Sequence, residues 1–405
     1  MDLPLAGIRV VDASAVLMGP YCSQWLADLG AEVIKVEPPE GDSTRQTGPA
    51  AEPGMAAVFL GANRGKRSVV IDLKQAGGRE AMQALIATAD VFMHSMRPQK
   101  LDAVGLAPGP LCAAHPRLVY AGLTGFSEAG PYGGQPAYDD IIQGLSGLAA
   151  LVQQQTGEPR YLPSAAADKN CGLVAAIAIL AALLRRGSTG RGGVVEVPMF
   201  ETMVAYNWVE HGYGALFDPP RGPAGYPRVL AAWRRPYATA DGHVGLMPYT
   251  DAHWRRFFTA VGEPALAADP RFASMAARTR HIAALYEATG RIVATQTTAH
   301  WLALCAELEI PAAPMHTLDS LPADPHLVAT GFFQALHDPA MGTLHLPAVP
   351  VRFDGERPPL ALPPRLGEHT AAVLAEAGLP PERIAALQAS GAVRAWTAPA
   401  AANDD

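Results

Sequence analysis

Residues 8–37 read IRVVDASAVLMGPYCSQWLADLGAEVIKVE, and this stretch decides the fold. Residues 8–12 are a short β-branched run, residues 21–29 a helical stretch entered after Gly19-Pro20, and residues 31–37 (AEVIKVE) a second strand. Strand, helix and strand in that order form a βαβ unit. The alternation continues with a strand at 68–73 (SVVIDL), a helix at 77–89, and strands at 91–94 and 118–123 (LVYAGL). It predicts a mostly parallel sheet covered on both faces, in the Rossmann manner.

Further on, an Ala-rich run at 172–184 (GLVAAIAILAALL) reads as a buried core helix, followed by a Gly-rich turn, a strand at 194–197 and a helix from near Pro198. Residues 216–235 are dense in Pro, Gly and Arg, the texture of a chain crossing between domains. A hairpin turning at Asp241-Gly242 and helical patterns at 252–261, 277–289 and 299–308 come next. After a second Pro-rich zone at 310–325, strands are expected around Leu344 and Val351, then helices at 370–377 and 381–388. The layout is an α/β protein. A large Rossmann-like domain is built from N- and C-terminal segments (1–205 and 346–405), with linkers at 206–225 and 326–345 and a smaller α+β domain at 226–325.

The chain has 405 residues, 49% of them hydrophobic and 17% charged, too apolar for a disordered chain and longer than the ~250–300 residues one core usually organises. Its 31 Lys+Arg against 38 Asp+Glu give −7 with no basic run, which argues against a nucleic-acid partner. Cys22, Cys112, Cys171 and Cys305 are too scattered for a disulfide framework or a zinc site, so reduced thiols and no metal are expected. The apolar run at 172–184 is shorter than the ~18–20 residues of a membrane span, and MDLPLAGIRVVD lacks the layout of a secretory leader. No membrane partner and a cytoplasmic location are the expectation.

In the first βαβ unit, Glu37 ends the second strand where a dinucleotide enzyme keeps its ribose-binding acid, yet ASAVLMGP stands where GxGxxG belongs. NAD or FAD is therefore not expected. Asn63-Arg64-Gly65-Lys66-Arg67-Ser68 is a basic cluster before a strand; it can neutralise a phosphate or be a solvated loop, and spacing alone favours the loop.

Several blocks together resemble the family III (CaiB/BaiF) coenzyme A transferases. They are LAGIRVVDASAVLMGPYCSQWLADLGAEVIKVEPPEGDSTR, NRGKRSVVIDLK, GLTGFSEAGPYGGQPAYDDIIQGLSGL, AAADKNCGLVAAIAILAALLRRGSTGRGGVVEVPMFETM and PPRLGEHTAAVLAEAGL, in order and almost end to end. The resemblance implies that Asp168 is the nucleophile. It also implies that Val16, Leu17, Met18, Lys66, Ile71 and Lys74 wrap the nucleotide part of CoA, that Tyr138 and Asp139 line the thioester end, and that Met199 lies near the pantetheine. Pro38 and Ser95 stand where some members have arginine and asparagine, and Arg97 is the candidate to supply the missing charge. Acyl-CoA is then a substrate, with no tightly bound cofactor. A homodimer of interlocked subunits is implied as well.

Without the resemblance, Asp168 reads as a plain capping carboxylate at the start of the apolar helix. The same fold family contains α-methylacyl-CoA racemases, which place a histidine before the aspartate of the YDD block. Tyr138 stands there in this chain, and a phenol with a reference pKa near ~10 is a poor base at neutral pH. Racemisation is the alternative, and a non-catalytic CoA-binding protein the second one. In GYPRVLAAWRRPY, Arg228, Arg234 and Arg235 stand among aromatic residues. They can hold the second carboxylate of a short dicarboxylate such as a succinyl donor, or brace the linker.

Overall fold

The computed structural model describes residues 3–397. Strands β1 (Arg9–Ala13), β2 (Glu32–Glu37), β3 (Lys66–Ile71), β4 (Val91–His94), β5 (Val119–Thr124) and β6 (Gly193–Pro198) run parallel. β1, β4 and β5 are buried along nearly their whole length, as strands covered on both faces must be. Strands β7 (Tyr237–Ala238), β8 (His243–Leu246) and β9 (Ala312–Pro314) form a small antiparallel sheet, and β10 (Phe333–Asp338) and β11 (Gly342–Pro347) a hairpin. β12 (Val393–Arg394) returns to the large sheet and pairs antiparallel with β3. The large sheet has the order β12-β3-β2-β1-β4-β5-β6. Its strand order reverses direction between β1 and β4, and in doubly wound sheets the ligand crevice opens beyond the strand ends at that point.

The chain divides into two units. The first contains residues 1–146, 163–205 and 326–405; the second contains 147–162 and 206–325. The first thus draws on N-terminal and C-terminal segments. Its core joins Val11, Ile34, Val69, Phe92 and Tyr120 of the sheet to Met82 and Leu85 on one helix and Val373 and Leu387 on the C-terminal pair. Arg67 ties that pair down, meeting Glu376 at 2.7 Å.

The second unit has its own core of Trp254, Phe257, Phe258, Leu285, Tyr286 and Trp301, whose indole N–H donates to the Val293 carbonyl at 2.7 Å. The helix Leu148–Thr156 belongs here and not to the 1–205 segment expected for the large domain. Its Gln155 donates to the carbonyls of Val229 and Arg234. Residues 206–225, expected as a linker, are part of this unit too.

Three other expectations need correction. The strand expected around Leu344 is present and pairs with Phe333–Asp338, but around Val351 the described chain forms no strand, only a bridge from Phe353 to Glu356. The 277–289 pattern is two helices, Met275–Arg280 and Ile282–Val293, because the chain breaks at His281. The apolar run at 172–184 is the middle of a 24-residue helix, Ala166–Thr189, long and apolar enough to cross a membrane by length and composition. One of its faces packs on the helix Met18–Asp28, with Gly172 at the crossing, where a Cβ would come within 2.7 Å of the Met18 carbonyl oxygen. The other face is open: Ile177 is 65% and Leu184 78% exposed.

Candidate functional site

Beyond the ends of β1, β4 and β5 lies a cavity of about 260 Å³. It is lined by the turn Ala15–Met18 after β1, by Ser95–Pro98 after β4, by Leu123–Phe126 at the end of β5, and by Glu128, Gly134–Tyr138, Met199 and Asp168. All of these belong to the first unit. The place is the one that the strand order dictates.

Asp168 sits in the first turn of the helix Ala166–Thr189, and Asp139 and Asp140 in the first turn of the helix Asp139–Leu145. The two helix starts are joined, since Asp139 Oδ1 accepts the Asp168 N–H at 3.0 Å while its Oδ2 accepts from Gln143 at 2.6 Å. Asp139 therefore caps the longer helix, a role the sequence suggested for Asp168 itself. Among the described residues the Asp168 carboxylate accepts no hydrogen bond, and it lines the cavity. Burial, then the charges of Asp139 and Asp140, push its carboxyl up from 3.8 to about 6. A carboxylate kept partly from water and without hydrogen-bond partners retains its nucleophilicity.

The cavity wall after β1 is tightly held. The Ala15 N–H donates to Ser95 Oγ at 3.2 Å, which links the β1 and β4 turns. In the second turn, His94 Nδ1 accepts the Met96 N–H at 3.2 Å. Burial pulls the His94 imidazole down to about 4, so it stays neutral. Gly19 allows the β1 turn to close, because a Cβ there would lie 2.1 Å from Ser14 Oγ.

Of the residues the sequence pointed to, Val16, Leu17, Met18, Ser95, Arg97, Tyr138, Met199 and Asp168 meet around this one cavity, with Asp139 bonded to Asp168. Arg97 is exposed and is, among the described residues, the only cation on the wall. Lys66, Ile71 and Lys74 do not line it. Lys66 is buried, donating to the Pro20 carbonyl and Asn63 Oδ1 at 2.8 Å each, with Asp12 at 3.6 Å. Burial brings its ammonium down to about 7. Ile71 is a core residue and Lys74 is exposed on the loop after β3, two strands away from β1.

The Asn63–Ser68 segment is therefore not a solvated loop. Arg64 forks onto Asp28 at 2.7 and 3.0 Å, and Arg67 bridges Glu32 and Glu376. Glu37 is likewise committed to Arg45 and Ser68, which removes it as an acceptor for a ribose. Arg228, Arg234 and Arg235 lie in the second unit and do not line the cavity with Asp168. Arg228 donates to the Tyr286 hydroxyl at 2.9 Å and lies over Tyr249, Arg235 lies over Trp233, and Arg234 and Arg235 border a groove with Tyr237 and Met247. The sequence reading had missed Leu123–Phe126, Glu128 and Gly134–Ala137. Their signal was the Gly and Pro density of GLTGFSEAGPYGGQPAY, which lets backbone approach a ligand.

A crevice at the strand-order reversal of a doubly wound sheet, with one partly shielded carboxylate at a helix start, defines a ligand-handling α/β protein of the Rossmann-like class. Comparison with known proteins specifies it further. The family described as CoA-transferase family III matches residues 5–370, and the chain belongs to that family. It is 34% identical to a succinate–glutarate CoA-transferase of Agrobacterium fabrum, covering 92% of this chain and 95% of the relative. It is 33% identical to a probable fatty acyl-CoA transferase, Rv3272, of Mycobacterium tuberculosis, covering 92% and 98%. Among solved structures it resembles a CaiB/BaiF family protein from Brucella suis, with a TM-score of 0.78 at 34% identity over 93% of this chain and 100% of the other. The protein is an enzyme, a CoA-transferase.

Proposed function

We propose that this enzyme moves CoA from an acyl-CoA donor to a carboxylic acid, with Asp168 as nucleophile. The observation that carries the reading is the Asp168 carboxylate on the wall of the switch-point cavity, accepting no hydrogen bond among the described residues and with its pKa raised to about 6. The carboxylate adds to the thioester carbonyl and expels CoA thiolate, leaving a mixed anhydride. The thiolate attacks the aspartyl carbonyl and releases the donor acid, giving an aspartyl-CoA thioester. The acceptor carboxylate attacks that thioester and expels the thiolate, leaving a second mixed anhydride; the thiolate then attacks its acceptor carbonyl, giving the new acyl-CoA and freeing the Asp168 carboxylate. Each step exchanges one activated acyl bond for another, so the residues named here suffice. Asp168→Ala is expected to keep CoA binding and abolish transfer, and hydroxylamine to trap the intermediate in the parent. Undiminished transfer by the variant refutes the mechanism.

For the acids, the reading is a short dicarboxylate donor such as succinyl-CoA. It is supported by the likeness to a succinate–glutarate CoA-transferase and by Arg97, a cation on the cavity wall. A panel of acyl-CoA donors with the parent and Arg97→Gln tests it: activity confined to monocarboxylates rules it out.

The working form is proposed to be a homodimer. The open apolar face of the helix Ala166–Thr189, with Leu173, Ile177 and Leu184 at helical spacing, is a surface that a lone subunit would leave wet. Sedimentation of the parent and of Ile177→Asp is the test, and a monomeric parent contradicts the reading.

A further inference from the structure

Beneath the cavity, six charged side chains are almost wholly buried: Asp12, Glu37 and Asp42 against Lys35, Arg45 and Lys66, each at most 3% exposed. Buried ion pairs contribute little net stability, because desolvation offsets the attraction, and they are best explained by something they hold in place. Here that is a strained turn. Val16 has φ +69°, in the left-handed region that a β-branched residue avoids. Its N–H points at the Asp42 carboxylate, 3.2 Å from Oδ2.

Asp42 is itself fixed from every side. Lys35 Nζ meets its Oδ2 at 2.9 Å, and the Thr44 N–H and hydroxyl donate to its Oδ1 at 3.0 and 2.8 Å. The Asp42 N–H donates to Glu37, which Arg45 grips through two nitrogens. Lys35 also donates to the Ser14 carbonyl at 3.1 Å, so one ammonium holds both the turn and its clamp. Strained backbone that the surroundings over-determine clusters where ligands are gripped, and Ala15–Met18 is the wall this cavity presents after β1.

We infer that the buried Lys35–Asp42 pair is a positioning device. Asp42 holds Val16 in the left-handed conformation, and the turn so formed gives the acyl-CoA cavity one of its walls. Neither residue touches substrate. The inference rests on the reading that this cavity takes acyl-CoA.

The test is CoA affinity by calorimetry, together with KM and kcat for acyl-CoA, for Asp42→Asn alone and in a Val16→Gly background, where glycine reaches the left-handed region without a clamp. Expected is a loss of affinity and a rise in KM of about tenfold for Asp42→Asn with valine at 16, equivalent to about 1.4 kcal/mol, with kcat little changed. In the glycine background, the same substitution is expected to change KM by less than about twofold. Thr44→Val, which removes one hydrogen bond and spares the ion pair, serves if Asp42→Asn does not fold; it should give a smaller rise that glycine again suppresses. An equal loss in both backgrounds, or none in either, overturns the inference. A parent protein that does not bind CoA at all overturns the functional reading instead.

Discussion

Replacing Asp168 by asparagine should abolish transfer and, at the same time, make the protein more stable. Raising the carboxyl from 3.8 to about 6 disfavours its charged form by about 3 kcal/mol, an upper figure because water reaches the cavity mouth. The sign follows from proton linkage. Between pH 3.8 and 6 the folded chain holds this proton and the unfolded chain does not, so stability falls as pH rises through that window and the penalty is complete above it. Asparagine carries no such penalty. Of the total, about 1.4 kcal/mol should accumulate above pH 5. Urea denaturation of parent and variant at pH 5 and pH 8, at fixed protomer concentration, should show the advantage of Asp168→Asn growing by up to that amount. A variant no more stable than the parent at pH 8, or an advantage that shrinks with pH, refutes the account of a carboxylate held against burial and two like charges.

Asp139→Asn removes the charge that acts more strongly on Asp168 of the two, while its amide oxygen can still cap the Asp168 N–H. The rising limb of the pH profile of kcat/KM, expected near pH 6 in the parent, should therefore move to lower pH. Lys66→Met should cost about 1–3 kcal/mol of stability by leaving the buried Pro20 carbonyl and Asn63 Oδ1 without their donor, yet leave acyl-CoA KM unchanged in the folded protein; a large KM rise without destabilisation would return Lys66 to the binding site. Gly172→Ala places a methyl against the Met18 carbonyl oxygen. Overpacking of about 1–3 kcal/mol should outweigh the helix propensity gained, about 1 kcal/mol, with a lower melting temperature and a weaker acyl-CoA KM.

The parallel sheet was legible because short β-branched segments, Val10-Val11 in β1 and Val33, Ile34 and Val36 in β2, stand on either side of one short helix. That Asp168 opens a long apolar helix was legible because the carboxylate precedes an Ala-rich run; that it lines the cavity became visible only in the structure. Lys66 was not legible. Its partners Asp12 and Pro20 are far away in sequence, and a local basic cluster looks the same whether its charges face water or one another. The helix Leu148–Thr156 was missed for a related reason. Left-handed glycines at 147 and 157 bound nine residues, too few to show a periodicity, and its neighbours lie beyond residue 226. Glu128 and the loop that carries it were within a quoted motif, but nothing local told which of its residues would face a cavity.

The antiparallel strand at the edge of the large sheet also bears on how the chain is made. β12 covers β3, and Val70 donates to Thr370 across 300 residues of sequence. At ribosomal speeds of about 5–20 residues per second, that interval is about 15–60 s. During it β3 presents an unpaired edge, open to strand addition by another nascent chain. The intervening second unit, with its own core, has time to fold first. A chain stopped before residue 393 would lack the strand that closes this edge, so C-terminal truncation, although remote from the cavity beside Asp168, should reveal itself first as aggregation.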